Sequence, residues 1–395
     1  MVERVVVAAD KFKGSLSATD VTAWVAAGLA AGGFGGEIAA VPVADGGDGT
    51  VDAAVSAGYQ RVDLEVTGPV GNVVTASFAL AAGTAVIEAA QACGLTLLPF
   101  GEFAPLTATS RGVGELILAA SRMGARQIVL GVGGVATTDG GAGLVQALGA
   151  RLLDDEGREL PAGGAALSRL AELDLSRLRD LSGVEFWLAS DVDNPLLGPH
   201  GAASVYGPQK GASADDVSLL EGALARWASL AEAVLGKAVV GEAVVGGAGV
   251  ADRSSSLPVA NEPGAGAAGG LGFAALLFLG ARMRPGIELL LELASFSDRL
   301  DGARLVITGE GSLDAQTLHG KAPVGVARAA AAHQPPVPVL AVAGRCTLSP
   351  EELRAAGISA AYAITDIESD VARCMANAGP LLQRLAERIA AEWLR

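Results

Sequence analysis

The chain is poor in the residues that most often carry chemistry or cross-links: it has three cysteines, three histidines and five lysines among 395 residues. Cys93, Cys346 and Cys374 lie far apart in sequence. They match neither a disulfide framework nor a zinc-ligand spacing, and a reduced cytoplasmic setting is the expectation. His200, His319 and His333 show no metal-ligand spacing to one another, so acid–base work is expected to fall to carboxylates and lysines. There is no basic run and the formal net charge is −15. Nucleic acid and anionic membrane are therefore poor partners, and an anionic small substrate would need a locally positive cleft. The start, MVERVVVAAD, lacks a basic segment followed by a long apolar one, so no signal peptide is expected. One uncharged stretch, 264–281, has the length of a short membrane span. Its first part is rich in glycine and alanine, and it reads as a loop followed by a buried helix.

What is present is apolar and punctuated. Hydrophobic residues make up 51% of the chain and charged residues 18%, enough for large cores, and the length suggests about two domains. Apolar runs of strand length end in glycine and acidic residues at 5–10, 38–49, 85–91, 127–134, 186–195, 304–314, 338–344 and 360–366. Helical patterns such as SATDVTAWVAAGLAA and SRGVGELILAASRMG separate most of them. This alternation predicts an α/β fold with largely parallel sheet, whose ligands sit beyond the carboxyl ends of strands. The segment 62–80 alternates apolar and polar residues around Gly68–Pro69 and Gly71–Asn72, which predicts an antiparallel hairpin. MRPGIELLLEL reads as re-entry into a helix, with Pro285 near its start. The expected organisation is a discontinuous Rossmann-like, doubly wound domain from 1–68 plus 287–395. A mixed α/β domain, 69–286, is inserted into it, with ligands held in the cleft between the two.

The lysines sharpen the search. Basic residues are otherwise arginine, so a lysine that persists marks a place where a compact point charge has no planar substitute. Lys11, Lys13, Lys210 and Lys321 each lie near glycine in a polar loop, whereas Lys237 lacks a polar cluster. In DKFKGSLSATD, Lys11 and Lys13 follow a strand, and Ser15 or Ser17 can cap the next helix. Loop amides, a helix start and two ammonium groups suit an anion; a solvated turn is the plainer reading. The loop is not a Walker A motif, since no GxxxxGK[ST] occurs. In VADGGDGT, Asp45 and Asp48 flank Gly46 and Gly47 and can hold Mg²⁺ directly or through water; otherwise they make a tight turn. In ASDVDNP, Asp191 and Asp193 project alike from an extended chain and can orient an alcohol or take its proton; the alternative is an Asx turn. GVGGVATTDGG satisfies GxGxxA through Gly131, Gly133 and Ala136, with Asp154 and Asp155 at ribose distance. Asp139, placed where a pyrophosphate would dock, and the Gly140–Gly141 break oppose a dinucleotide. VYGPQKGAS carries Gln209 and Lys210, and EPGAGAAGGLGF is so glycine-rich that its backbone must approach another element or an anion. ITGEGSLDAQTLHGKAP gathers Glu310, Ser312, Asp314, Gln316, Thr317, His319 and Lys321 after a strand.

Lysines, carboxylates and anion-binding loops without a Ser–His pair or a thiolate are the inventory of phosphoryl transfer, in which positioning and charge lower the barrier. In their order along the chain, ADKFKGSLSA, PVADGGDGT, GVGGVATTDGG, SDVDNPL, YGPQKGA, PGAGAAGGLG and TGEGSLDAQTLHGKAP resemble the glycerate kinase type-1 family. The resemblance spans nearly the whole chain, with Val135 standing where the family often has serine. It implies phosphorylation of D-glycerate by ATP with Mg²⁺, 2-phosphoglycerate being favoured over 3-phosphoglycerate, in two α/β domains with the site between them. Carried over residue by residue, it implies that Lys11, Lys13 and Lys321 neutralise phosphate or the glycerate carboxylate. Asp45, Asp48 and Asp314 become candidates for Mg²⁺ and substrate hydroxyls, and Asp191 for the base. Binding candidates are Asp10, Ser15, Gly46, Gly47, Gly133, Gly134, Thr138, Asp139, Lys210, Gly264, Gly266, Gly269, Glu310, Ser312 and Gln316. The readings held against it are an NAD-dependent oxidoreductase acting on a small hydroxy acid and a non-catalytic sugar-acid-binding module. None of the motifs sets the oligomeric state.

Overall fold

The computed structural model describes residues 3–240 and 258–395, apart from the side chains of 237–240 and 319; the side chains of Lys237 and His319 thus lie outside the description. In chain order its strands are β1 (Arg4–Ala9), β2 (Glu37–Ala40), β3 (Gln60–Thr67), β4 (Val73–Ala81), β5 (Thr84–Glu88), β6 (Gln127–Gly131) and β7 (Arg151–Leu153). They continue with β8 (Glu172–Asp174), β9 (Glu185–Ala189), β10 (Arg282–Arg284), β11 (Ala303–Leu313), β12 (Val339–Cys346) and β13 (Ala360–Ala363). The chain divides into two compact units. Met1–Asp45, Asp52–Tyr59 and Pro285–Arg395 make the first; Gly46–Val51 and Gln60–Arg284 make the second.

The first unit is a five-stranded, wholly parallel sheet in the order β13-β12-β11-β1-β2. Alternation along β1 sends Val5, Val7 and Ala9 into a core shared with the helices Ala18–Ala31 and Ala378–Trp393. Val6 and Ala8 enter a second core on the opposite face, under the helices Gly286–Leu293, Phe296–Leu300 and Ala322–Ala332. Helices on both faces make the unit doubly wound. Numbered within the unit, the strand order is 2-1-3-4-5, the flavodoxin-like member of the doubly wound class. The order reverses between β1 and β11, and the carboxyl ends beside that reversal are where such sheets take ligands.

The second unit contains a six-stranded mixed sheet, β10-β9-β6-β5-β4-β3, and the short pair β7-β8. Strands β5, β6, β9 and β10 run parallel, while β3 and β4 are antiparallel additions. The 62–80 segment forms the expected hairpin, with Val66 opposite Val74 and a turn closed from the Gly68 amide to Asn72 O at 2.6 Å. The hairpin lies wholly in the second unit, whose long segment begins at Gln60. The Gly-rich stretch at 264–281 is a loop and a buried helix, and no helix among the described residues is long and apolar enough to cross a membrane.

Candidate active site

At the β1/β11 reversal, register decides which side chains meet. Ala8 pairs with Thr308 and Ala9 with Gly309, so Asp10 and Glu310 follow side by side at adjacent strand ends. Ser312 pairs with Arg345 of β12. With a period of two, Asp10, Glu310, Ser312 and Arg345 belong to the face that carries Val6, Ala8 and Val306. The helix Ala322–Ala332 covers that face, and Lys321 is its N-cap residue. A Cβ added to Gly311 would lie 3.3 Å from the Lys13 amide nitrogen, which puts the Lys11–Lys13 loop against the same edge.

The charges there are interlocked. The Lys11 amide donates to Asp10 Oδ1 at 2.6 Å, and Lys11 Nζ stands 3.8 Å from the same oxygen. Lys321 Nζ stands 3.4 Å from Glu310 Oε2, and the Thr317 hydroxyl donates to Glu310 Oε1. Arg345 Nε donates to Ser312 Oγ at 2.9 Å, and Ser312 Oγ donates to Asp314 Oδ2 at 3.1 Å. Burial pushes the Asp10 carboxyl from its usual 3.8 up to about 7; Lys11 opposes the rise, and the charges of Asp45 and Glu310 add to it. Glu310 is also raised, by burial first, against the pull of Thr317 and Lys321. Asp314 is lowered: burial would raise it, but the Gln316 amide, the Ser312 hydroxyl, Lys321 and Arg345 together outweigh that. Ser17, with Asp20, forms the capping box of the first helix, whereas Ser15 closes a turn onto Phe12 O at 3.1 Å. Lys13 and Gln316 are exposed.

The raised Asp10 carboxyl has a thermodynamic consequence. Above its unfolded pKa the group binds more proton folded than unfolded. Its contribution to stability therefore falls as pH rises from about 4 to about 7 and is a fixed penalty beyond. Asp10→Asn keeps the acceptor for the Lys11 amide and removes the charge. Thermal melts of the ligand-free protein should show the variant more stable than wild type at pH 8, by a few kcal/mol at most. The gain should vanish near pH 4.

The second unit brings other motif residues together at the carboxyl ends of β5, β6 and β9. A Cβ on Gly133 would lie 2.5 Å from Gly47 Cα, one on Gly46 2.8 Å from Ala189 O, and one on Gly134 2.3 Å from Asp48 Oδ1. Gly133 lets the DGGDG and GVGG loops pack backbone against backbone, Gly46 lets the first of them approach the end of β9, and Gly134 makes room for the Asp48 carboxylate. Glu88, at the end of β5 and 3% exposed, fixes the same loop by accepting from the Gly49 and Val51 amides at 3.1 and 3.2 Å. Asp191 is exposed, just past the end of β9.

Three binding candidates are instead interior groups. Asp139 is fully buried, and it accepts from the Ser110 amide and hydroxyl and from the Gly141 and Gly143 amides, at 2.8–3.2 Å. Lys210 is 2% exposed and donates to Thr137 O at 2.6 Å; burial lowers its pKa to about 8. Thr138 is also fully buried. The polar atoms of Asp139 and Lys210 are bonded within the TTDGG loop and its surroundings, whereas the Thr138 hydroxyl has no hydrogen-bond partner among the described residues. Gly264, Gly266 and Gly269 lie close against neighbouring chain: Cβ atoms there would lie 2.2 Å from Met283 Sδ, 2.2 Å from Pro195 O and 2.0 Å from Thr137 O. Asp154, placed by sequence for a ribose, accepts from the Glu156 and Arg158 amides and pairs with the Arg158 side chain.

The glycerate kinase family model matches residues 5–394. The chain belongs to the glycerate kinase family. It is therefore an enzyme, a kinase acting on an alcohol group, and neither the oxidoreductase nor the non-catalytic reading is kept. It is 42% identical over 392 residues to glycerate kinase of Bacillus subtilis (strain 168), covering 98% of this chain and 97% of the relative. It is 40% identical over 366 residues to glycerate 2-kinase of Escherichia coli (strain K12), covering 91% and 90%. A crystal structure from Salmonella typhimurium LT2, assigned as glycerate kinase 2, matches with a TM-score of 0.81 and 39% identity over 99% of this chain and 98% of that one. For a kinase of this family, two residues escaped the sequence reading. Glu88 carried a signal, a lone carboxylate inside AVIEAAQ. Arg345 stood immediately after the apolar run of β12.

Proposed function

We propose that the chain transfers the γ-phosphoryl group of ATP to a hydroxyl of D-glycerate, with 2-phosphoglycerate as the favoured product. The observation that carries the reading is the β1/β11 edge, where Lys11 and Lys321 stand against paired carboxylates at a helix start, with Lys13 alongside. Such an edge suits transferring phosphate, because ammonium groups and helix amides neutralise oxygens whose charge redistributes in the transition state. Lys11, Lys13 and Lys321 meet phosphate or the glycerate carboxylate. Asp191 orients the attacking hydroxyl and takes its proton.

Mg²⁺ fits the charge balance of this edge, since the charges of Asp45 and Glu310 add to the rise that burial gives the Asp10 carboxyl. Asp45, Asp48 and Asp314 would hold the ion. Bound there, it would supply positive charge that neutralises phosphate oxygens. Among the described residues no three His, Cys, Asp or Glu side chains group as a metal cage.

The test is ADP release with Mg–ATP and D-glycerate, followed by phosphorus NMR of the product. ADP formation that requires both substrates, with a resonance assigned to the 2-phosphate, is the expected result. A 3-phosphate product would overturn the regiochemistry alone. No ADP release, with NADH bound more tightly than ATP, would overturn the reading.

A further inference from the structure

Arg345 combines three features that the proposed chemistry has not used. Its register partner is Ser312, which sets it on the face that carries Asp10 and Glu310. Its Nε donates to Ser312 Oγ at 2.9 Å, and that hydroxyl donates to Asp314 Oδ2 at 3.1 Å. Asp314 is itself anchored, accepting from the Gln316 amide at 3.0 Å and donating its own amide to Thr317 Oγ1 at 3.1 Å. A carboxylate thus fixes a hydroxyl, the hydroxyl fixes one edge of a guanidinium, and the residue stays exposed. Its terminal nitrogens make no ion pair with a described residue. The strands approach closely here: a Cβ on Gly344 would lie 2.6 Å from Gly311 O.

A planar fork held along its Nε edge presents its two terminal nitrogens in a fixed plane, which matches two oxygens of one carboxylate or phosphate. We propose that Arg345 is a specificity residue of the phosphotransferase site, gripping one anionic group by two oxygens, with Ser312 as its positioning residue. The anion is a carboxylate on the hydroxy-acid acceptor or a phosphate of the nucleotide. The proposal rests on the reading of the β1/β11 edge as the reaction site.

Steady-state kinetics of Arg345→Ala, Arg345→Lys and Ser312→Ala, with Lys321→Ala as reference, test it. Arg345→Ala should lower kcat/KM by about 10–100-fold, and lysine should not rescue it, because one ammonium cannot make two parallel bonds. If the anion is the acceptor carboxylate, the loss appears with D-glycerate and the preference for glycerate over glycerol narrows. If it is a phosphate, the KM for ATP rises and that preference is unchanged. Ser312→Ala should cost less and add little to Arg345→Ala in the double variant, a non-additivity that general loosening would not produce. Arg345→Ala within twofold of wild type for both substrates, with Lys321→Ala inactive, would overturn this proposal alone. Wild-type kinetics in Lys321→Ala as well would overturn the reading of the edge.

Discussion

Replacing Asp191 with asparagine should lower kcat by about 10²–10⁴-fold, the range a positioned general base supplies, while changing the KM for D-glycerate and ATP by a few-fold at most. The residue follows β9, whose last residue Ala189 pairs with Gly131 and Arg284 at the centre of the parallel part of the second sheet. Ser190 anchors the exit: its amide donates to Arg284 O at 3.2 Å, and its hydroxyl accepts from the Val192 amide at 3.4 Å. The carboxylate is thus projected from a fixed strand end and not from a free loop. Asparagine preserves size and one acceptor but cannot take a proton, so binding should survive and turnover should not. Asp193 is the internal control. It lies beside Tyr206, whose pKa is raised by burial first and by the Asp193 charge second, and Tyr206 donates to Asn194 Oδ1 at 2.6 Å. Asp193→Asn should keep turnover within a few-fold of wild type. If Asp191→Asn keeps it equally, the base is another group, and Asp10 is the next to replace.

The strands were legible because each is an apolar run stopped by glycine or acid: all eight runs contain strands, from β1 to β13. Their order was not. Nothing in VVVAAD or RLVITGEGSLD says that β1 and β11, some three hundred residues apart, are neighbours; that follows from burying both faces of each strand. Strands β7, β8 and β10 have three residues each, too few for a periodicity to show. At the site, sequence exposed charge type but not burial. Lys210 and Lys321 looked alike, each in a Gly-flanked polar loop, yet one is interior and the other stands at a helix start. Glycine was equally ambiguous, since a backbone that must approach a ligand and one that must approach another backbone both exclude a Cβ. At Gly133 and Gly269 the close neighbour is another stretch of backbone. Arg345 was hidden by composition: rarity drew the eye to lysine, and one arginine among many carries no such mark.

The interior placement of Asp139 predicts the largest loss of stability. Asp139→Ala should cost about 4 kcal/mol or more, because it strands three buried amides, those of Ser110, Gly141 and Gly143, at roughly 1–3 kcal/mol each. Against a total stability of about 5–15 kcal/mol, that is enough to depopulate the folded state in mild urea. The loop it holds is tied from other sides as well. The Gly140 amide donates to Gly269 O at 3.0 Å, and Trp227 Nε1 donates to Gly140 O at 3.0 Å. Loss of the carboxylate therefore loosens the TTDGG and PGAGAAGG loops together. It also removes the negative charge that supports the buried Lys210 ammonium, whose pKa burial has already lowered to about 8. Lys210→Met removes that charge, so the double variant should be less destabilised than the sum of the singles. Urea unfolding of the four ligand-free proteins, followed by circular dichroism, measures this coupling. Strict additivity would show that the two charges do not sense each other. Asp139→Ala with wild-type stability and a raised KM for ATP would return the residue to the ligand-binding role its motif suggested.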